Sequence, residues 1–484
     1  MKEITKAAAA KNSIWKLMES FLSKGVSMLV SIVLARILLP DDYGIIAFTS
    51  VFINLSDTLI QAGFSTALIR KDKVNARDYS TVLGISIVMA FSLYVIIFLS
   101  APIISNFYKE PILVNVLRVI ALSLFFQAFA SVRTAIVSRE MKFKVLFMCS
   151  VISNIISGIV GIAFAYRGFG VWALVYQQLS QQFLLTVSLF AAVKMKVKFK
   201  IYRESAKELV PFSVKVLASS LLSFISGSIC NLVVGKTHSM TDLGYYEKGA
   251  LFPQNISLYT FSAVSNVFLP VFASTQNDHE RLNNVFQRVL NVSAYIILPM
   301  MAGLCMVAEP LISVVLTDKW LPAAWILRWS CLYYVMTPML LAHVQLHFAI
   351  GKSDTRIKIE LYKLFVTVLA LVALVFTKRS INYVAAVMAL IQVSTVVLIT
   401  IETKKAIRFD ISLMIKNISK TIIATAVMSY VVFIVGKIEV ANILKLILEI
   451  SVGGVTYLVA SIVLKINAFY EIIGLIKSIR ERCG

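Results

Sequence analysis

Long, uninterrupted apolar runs are the feature that most limits how this chain can fold. Each run extends over about 20 residues or more, the length that an α-helix needs to cross the apolar layer of a bilayer. The runs are continuous and do not alternate with period two, so they predict membrane helices and not the strands of a barrel. The sequence predicts fourteen spans, at 14–37, 44–69, 80–107, 113–138, 145–166, 171–193, 209–236, 250–273, 285–309, 323–350, 357–377, 381–401, 417–436 and 442–464.

Lysine and arginine are distributed unevenly between alternate loops. Twenty-eight lie in the N-terminal segment, in every second loop and in the C-terminal tail, whereas the intervening loops hold seven. Cytoplasmic loops of membrane proteins carry the excess of positive charge, so we expect both termini in the cytoplasm. The net charge of +22 is explained by this topology, and no nucleic acid is expected as a partner. Trp320, Trp325 and Trp329 lie near one outer edge, where they are predicted to anchor the chain among the headgroups.

A short motif recurs at an offset of 200 residues. Arg36 and Lys236 are each followed by Asp after six positions and Gly after eight. Each copy joins the first and second helices of a block of six spans, as two homologous lobes would. We therefore predict an all-α integral membrane protein of about fourteen transmembrane helices, with two pseudo-symmetric six-helix lobes at 1–200 and 201–410 and a C-terminal helix pair with its tail at 411–484.

Four basic residues inside the spans are candidate substrate-binding residues, because a charge in the membrane usually faces a cavity or a partner. Lys24 shares a face of the first span with several serines, and Lys215 occupies the matching place in the seventh span. If both face inward, they form a basic cleft suited to a phosphate or diphosphate. Arg118 and Arg133 belong to the fourth span. The alternatives are a helix-joining ion pair for Lys24, and side chains that reach the cytoplasmic interface for Lys215 and Arg133.

Neutral and acidic groups supply the other candidates. Asp57, deep in the second span, either pairs with Lys24 or takes up a proton or sodium ion during transport. The sixth span contains Gln177 and Gln181 within a group of four glutamines. Their amides are suited to sugar hydroxyls and equally to bonds between helices.

Patterns typical of enzymes are not supported. His343 and His347 have no acidic third ligand on their helix face, which favours a polar helix contact over a metal site. The Gly-Lys-Ser sequence at 351–353 lacks the upstream glycine of a phosphate-binding loop. We therefore expect no catalytic residues, metal or cofactor, and a protein that is not an enzyme. Energy for transport is expected from an ion gradient, the membrane potential or the substrate gradient.

Three stretches carry a resemblance to a known family: LARILLPDDYGIIAF at 34–48, RTAIVSREMKFK at 133–144 and GFGVWALVYQQ at 168–178. The chain resembles the polysaccharide flippases, which are O-antigen and exopolysaccharide exporters of the multidrug/oligosaccharidyl-lipid/polysaccharide superfamily. The resemblance implies transport of an undecaprenyl-diphosphate-linked oligosaccharide, from O-antigen, capsule or exopolysaccharide synthesis, across the bacterial inner membrane by alternating access. It also places Lys24 where related flippases carry a cationic residue that faces the central cavity.

The implied partners are the lipid-linked oligosaccharide, membrane lipids, a coupling proton or sodium ion, and the polysaccharide polymerase and export machinery. Two other functions stay open at this point. A cation-coupled multidrug exporter of the same superfamily would usually have fewer spans and carboxylates in its cavity. A membrane polysaccharide polymerase or ligase would usually need a long outer loop, whereas the longest predicted outer loops have about a dozen residues.

Overall fold

The regular elements in the described part of the chain are helices. The computed structural model describes residues 22–61, 68, 71, 74–193, 200–274, 279–352, 354–377, 379–407, 409–438 and 440–474. Within these ranges it contains seventeen α-helices and one short 3₁₀ helix. Ten helical segments there are long and apolar enough to cross a membrane. The chain is therefore a multi-pass, all-α membrane protein.

The helices belong to two compact units, Met1–Gly244 and Tyr245–Gly484. The described helices of the first unit are α1 (Lys24–Ile37), α2 (Pro40–Gln61), α3 (Ala76–Tyr108), α4 (Ile112–Ile120), α5 (Ser123–Arg139), α6 (Phe143–Tyr166), α7 (Val171–Ala192) and α8 (Arg203–Thr237). The chain passes between the units within α9 (Met240–Ser274). The following helices are α10 (His279–Met306), α11 (Ala308–Leu316), α12 (Ala323–Val335), α13 (Thr337–Ala349), α14 (Asp354–Thr377), α15 (Ile381–Ile407), α16 (Ile411–Val435) and α17 (Asn442–Val463). The lobe boundaries at 200 and 410 remain predictions.

Lipid determines which side chains these helices expose, as α3 illustrates. Its exposed residues include Val88, Phe91 and Leu99, whereas Thr81 and Ser86 are fully buried. This distribution is the reverse of that in a water-soluble helix, because hydrocarbon is the solvent and small polar residues are best placed between helices. The apolar runs of the sequence therefore mark the outer surface of the protein as well as its helices.

Each of the fourteen predicted spans overlaps one helix or two consecutive helices. Two of the predicted spans are broken near their middle, and a third, at 285–309, ends just beyond the boundary between α10 and α11. The span at 113–138 is divided between α4 and α5, and the span at 323–350 between α12 and α13. The second break occurs at Met336, two residues before Pro338, which has no backbone N–H to donate to the preceding turn. The number of membrane crossings remains a prediction.

The recurring motif occupies equivalent places in two helix junctions. The junction between α8 and α9 repeats the junction between α1 and α2 at the predicted offset of 200 residues. In each, the aspartate accepts a hydrogen bond from a backbone N–H three residues earlier, Asp42 from Leu39 at 3.0 Å and Asp242 from Ser239 at 3.3 Å. A carboxylate in this place satisfies a donor that the helix start leaves unpaired. The aspartate therefore stabilises the beginning of the second helix in each copy.

The glycine of the motif allows two backbones to touch. A Cβ atom at Gly44 would overlap the carbonyl group of Met240, and a Cβ atom at Gly244 would overlap that of Pro40. The contact is reciprocal, because each glycine meets the residue that precedes the other glycine by four positions. A two-fold axis between two copies of a motif produces this kind of pairing. Glycine is needed at both positions because it has no side chain.

The sequence between the two predicted lobes, at 194–208, is rich in lysine and is predicted to be a cytoplasmic linker. Its described end is bound to the beginning of α3. The N–H of Tyr202 donates a hydrogen bond to Thr81 at 3.0 Å, and Lys71 forms ion pairs with Asp78 at 3.0 Å and Glu208 at 2.7 Å. Burial alone lowers the pKa of Lys71, but the hydrogen bonds and charges of the two carboxylates raise it overall. The described end of the linker is therefore a docked segment.

The prediction that three tryptophans anchor the membrane interface is wrong for Trp320. Its side chain is 0% exposed, and its ring packs edge-on against Tyr245 with centroids 6.1 Å apart. A ring enclosed by protein does not reach the headgroup layer. Trp325 is exposed and lies beside the guanidinium of Arg328, which is compatible with an interfacial position.

The predicted topology is testable by labelling single cysteines in a background without the five native ones. Lys207 and Lys352 are exposed and lie in loops predicted to be cytoplasmic, whereas exposed Arg167 lies in a loop predicted to be outside. We expect an impermeant maleimide added to intact cells to label Arg167→Cys only, and all three variants to react after lysis. Labelling of Lys207→Cys from outside would contradict the topology.

Candidate functional site

A cavity of about 300 Å³ lies within the first unit, between α1, α2, α5 and α7. This volume is at the lower end of the range of about 300–1,000 Å³ that is typical of small-molecule sites. None of the described residues that line the cavity is charged. Hydroxyl and amide groups form most of the lining, and they belong to Ser27, Ser31, Tyr43, Ser50, Asn54, Ser123, Gln127, Gln177, Gln178, Gln181 and Gln182.

The four glutamines of α7 form one side of the cavity. Two adjacent pairs, Gln177 with Gln178 and Gln181 with Gln182, recur after four residues, which places them on one face of the helix. The neighbouring Phe183 points away and is exposed. The structure therefore places both of the predicted residues of this group, Gln177 and Gln181, in the cavity lining.

A buried asparagine on α6 holds two cavity helices together. The Nδ2 of Asn154 donates hydrogen bonds to Ser23 Oγ at 2.8 Å and to the Ser23 carbonyl at 3.1 Å, and its Oδ1 accepts one from Gln181 Nε2 at 2.6 Å. Gln181 therefore joins helices and lines the cavity at the same time. Sequence reasoning missed Asn154, although a single amide inside an apolar run was a usable signal.

Small residues let α6 approach the same two helices closely. A Cβ atom at Gly158 would overlap the side chain of Val30 on α1, and one at Gly161 would lie 2.7 Å from Cβ of Gln177 on α7. Close approach at small residues is the usual basis of helix packing in membranes. The cavity wall made by α1 and α7 is thus supported from behind by α6.

Lys24 lies one helical turn from the cavity. Its side chain is exposed, and it has no hydrogen-bond or ion-pair partner among the described residues. On α1 it precedes Ser27 and Ser31, which line the cavity, by three and seven residues, so the three share one helix face. Lys24 is therefore next to the end of the cavity, and none of the described lining residues is positively charged.

Asp57 also lies one turn beyond the cavity lining, on α2. It is half-buried and accepts a hydrogen bond from Gln61, and Asn54, three residues earlier, lines the cavity. Both Asp57 and Lys24 are described, and the structure contains no ion pair between them. Their predicted pairing is absent in this conformation.

The remaining predicted cations are not in the cavity lining. Arg118 packs over the ring of Phe98, with its Cζ 4.1 Å from the centroid, and donates to the Phe98 carbonyl at 3.3 Å. Arg133 is only 6% exposed, with its Cζ 3.1 Å from the ring centroid of Phe190. Arg133 is thus enclosed between helices and does not reach the interface. Lys215 is on α8, and its side chain lies outside the described part of the chain.

The chemistry available in this site is hydrogen bonding. Amides and hydroxyls present both donors and acceptors at close spacing, which matches the hydroxyl groups of a sugar. Tyr43 is held in place by a hydrogen bond from its hydroxyl to the carbonyl of Ser31 at 3.1 Å. Among the described residues, no group of three or more His, Cys, Asp or Glu side chains is placed to hold a metal ion.

Comparison with known proteins decides the family. A family model described as polysaccharide biosynthesis protein matches residues 33–325, which is more than half of the chain. The chain belongs to this family. The matched region includes α2, α5 and α7, three of the four helices that form the cavity.

Two proteins that are similar in sequence to this chain have names that refer to polysaccharide biosynthesis. The succinoglycan biosynthesis transport protein ExoT of Rhizobium meliloti is 23% identical over 310 residues, which is 64% of this chain and 63% of that protein. The match to ExoT therefore spans less than two thirds of its length. The teichuronic acid biosynthesis protein TuaB of Bacillus subtilis is 23% identical over 407 residues, covering 83% of this chain and 84% of TuaB.

The fold is shared with a solved flippase structure. The lipid II flippase MurJ in an inward closed conformation superimposes with a TM-score of 0.77, covering 95% of this chain and 99% of that one. Sequence identity is 15%, so the likeness concerns the fold alone. It confirms the all-helical membrane architecture that the apolar runs predicted.

Proposed function

We propose that the protein is a flippase that moves an undecaprenyl-diphosphate-linked oligosaccharide from the cytoplasmic to the outer leaflet of the bacterial inner membrane by alternating access. The observation that carries this proposal is a neutral cavity lined by amides and hydroxyls, with a lysine one turn from its end. The cargo has the same two parts, a neutral sugar and an anionic diphosphate. Family membership supports a role in polysaccharide biosynthesis.

The sugar part is assigned to the glutamines of α7. A sugar that leaves water must replace its hydrogen bonds, and Gln177, Gln178, Gln181 and Gln182 present both donors and acceptors on one face. The hydrogen bond from Gln181 of α7 to Asn154 of α6 holds one of these amides in place, so part of the site is preorganised.

The diphosphate is assigned to Lys24, with Lys215, Arg118 and Arg133 as further candidates at other stages of the cycle. An ammonium group that is exposed and unpaired is available for a phosphate oxygen, and a charge-assisted bond is about twice as strong as a neutral one. Arg118 and Arg133 are covered by aromatic rings in this conformation, so their use requires helix movement. Both termini are assigned to the cytoplasm, and the polymerase and export machinery are the proposed protein partners.

The proposal is tested by reconstituting the purified protein into vesicles with a fluorescent undecaprenyl-diphosphate oligosaccharide. We expect wild-type protein to make the lipid accessible to a reagent outside the vesicle, with no hydrolysis of the lipid. Gln178→Leu removes a cavity amide that has no hydrogen-bond partner among the described residues, and it should slow transport about two- to tenfold, equivalent to about 0.5–1.5 kcal/mol. The matched control is Val187→Ala, an exposed position on the same helix. Equal rates for wild-type and empty vesicles would overturn the proposal.

Asp57 is the proposed coupling residue of this unit. Asp57→Asn keeps the size and one acceptor of the side chain, so the bond from Gln61 can persist while the titratable group is lost. We expect the variant to remain inserted but to lose the dependence of transport on a proton or sodium gradient. An unchanged gradient response would leave Asp57 with a structural role only.

A further inference from the structure

Two histidines of the second unit are enclosed between α13 and α15. His343 and His347 are only 1% and 2% exposed. The Nε2 atom of His343 lies 3.2 Å from Thr400 Oγ1, and the Nε2 atom of His347 lies 3.1 Å from Thr403 Oγ1. Each pair is spaced by about one turn on its own helix, so two parallel His–Thr contacts join the helices.

The hydrogen bonds around His343 fit two protonation states. Its Nδ1 lies 2.8 Å from the Met339 carbonyl, which only accepts, so Nδ1 carries a proton. The Thr400 hydroxyl is 2.7 Å from the Val396 carbonyl. When that hydroxyl donates to Val396, Nε2 must also carry a proton and the ring is an imidazolium. When the hydroxyl turns to donate to Nε2, the ring is neutral. Rotation of one hydroxyl therefore accommodates both forms.

His347 provides a second base next to the first. Thr403 Oγ1 lies 2.9 Å from the Ile399 carbonyl, and when the hydroxyl donates to that carbonyl, Nε2 of His347 donates to Thr403. In the neutral ring Nδ1 then has a free lone pair, and this atom is buried with no hydrogen-bond partner among the described residues. A buried nitrogen without a hydrogen bond lowers the stability of the folded protein. A residue kept at such a cost is more typical of a functional site than of a simple contact between helices.

The surroundings of the pair are mainly apolar. Phe286 of α10 and Phe409, after α15, lie edge-on to the ring of His343, with centroids 4.9 and 6.4 Å away. Among the described residues, the charged groups that act on the pair face His347, and they are Lys352 after α13 and Glu402 of α15. The other described charges nearby, Lys358 of α14 and Lys405 of α15, act on Glu402. No carboxylate is bonded to either imidazole in the described residues, so a positive charge here depends on access to water.

We propose that His343 and His347 form a proton-binding site whose occupancy is coupled to the conformational cycle. A proton from water adds to the lone pair of His343 Nε2, and the Thr400 hydroxyl turns from Nε2 to the Val396 carbonyl. Both rings are enclosed by protein in this conformation, so the charged ring is more stable in a conformation that admits water to the site. Protonation therefore shifts the conformational equilibrium toward the water-accessible conformation. The link to transport rests on the proposed function. The proton-binding step does not.

Proton binding is measured directly by NMR of labelled histidine in the full chain, reconstituted in nanodiscs. The chain has four histidines, so replacing His238 and His279 by Gln leaves only this pair. We expect the nitrogen shifts of His343 to change from the neutral to the doubly protonated form between about pH 7 and pH 4, with one proton taken up, because burial among apolar rings disfavours the charged ring. Thr400→Val, which removes the hydroxyl that bonds both states, should move that transition. Imidazoles that both stay neutral over this range would overturn the proposal.

Coupling is measured separately, as transport in vesicles with an imposed proton or sodium gradient. An imidazole binds a proton, whereas sodium prefers oxygen ligands. We therefore expect His343→Gln to lose acceleration by a proton gradient while any response to sodium is retained, and His238→Gln to behave as wild type. If His343→Gln does not accumulate, Thr400→Val serves in its place and should alter the same response. Wild-type transport with an unchanged proton response in both variants would overturn coupling at this site. A titrating pair without any wild-type transport would instead contradict the proposed function.

Discussion

Replacing Lys24 by alanine is expected to abolish glycan export while the protein stays in the membrane at normal abundance. The lysine is exposed and unpaired among the described residues, so its removal leaves no carboxylate without a partner and should not destabilise the fold. A diphosphate, however, loses the cation that lies one helical turn from the cavity lining. Lys24→Arg should retain part of the activity, because charge is kept while geometry changes. Surface polysaccharide at matched expression is the measurement, with Lys207→Ala, an exposed lysine elsewhere, as the control.

The double variant Lys24→Ala/Asp57→Ala distinguishes a Lys24 that binds the diphosphate from a Lys24 that forms an ion pair with Asp57. If the two side chains form a buried ion pair in another conformation, losing one partner costs roughly 3–5 kcal/mol in a soluble core, and removing both relieves it. The structure contains no such pair, so we expect the double variant to remain inactive. Recovery of export would show that the pair is structural and that the assignment of Lys24 to the diphosphate is wrong.

The second large effect is expected at the glycines of the repeated motif. In Gly44→Ala and Gly244→Ala the new methyl group overlaps a backbone carbonyl, which cannot rotate away as a side chain can. Overpacking of this kind costs typically about 1–3 kcal/mol and sometimes more, so each variant should unfold at a clearly lower temperature in detergent or fail to accumulate. Gly25→Ala is the matched control, because a Cβ atom there has no neighbour within 4 Å in the part of the chain that the structure describes. The control should be neutral or slightly stabilising, since alanine favours a helix by about 1 kcal/mol over glycine. Equal melting temperatures for Gly44→Ala and Gly25→Ala would contradict the close contact.

Apolar periodicity and length predicted the helices well, because the bilayer requires continuous apolar segments and internal backbone hydrogen bonds. The two broken spans were missed, since a break depends on a local feature such as Pro338 that apolarity does not reveal. Trp320 was assigned to the interface by its position in the chain, whereas packing against Tyr245 buries it. Composition predicts that a segment lies in the membrane, but it does not predict which face of the helix packs against other helices and which face contacts lipid.

The candidate site was predicted in part. The four-residue spacing in α7 was sufficient to place Gln177 and Gln181 on one face, and the cavity lies on that face. Asn154 was missed because it is a single residue without periodicity, and its value comes from partners on α1 and α7 that only the fold brings together. The position of Arg133 near the cytoplasmic end of its span left a side chain that reaches the interface as an alternative, but the direction of that side chain is set by Phe190 on another helix.

The reciprocal contact of the two glycines also bears on how such a chain can arise. Each copy of the motif contributes one glycine and one carbonyl group, so a single copy already carries both halves of the contact. A chain of half this length would therefore be self-complementary at this place, and two identical molecules would meet there as a symmetric dimer. Joining two such genes end to end would preserve the contact without any new residue. Afterwards the glycines would be the part of each half that is least free to diverge.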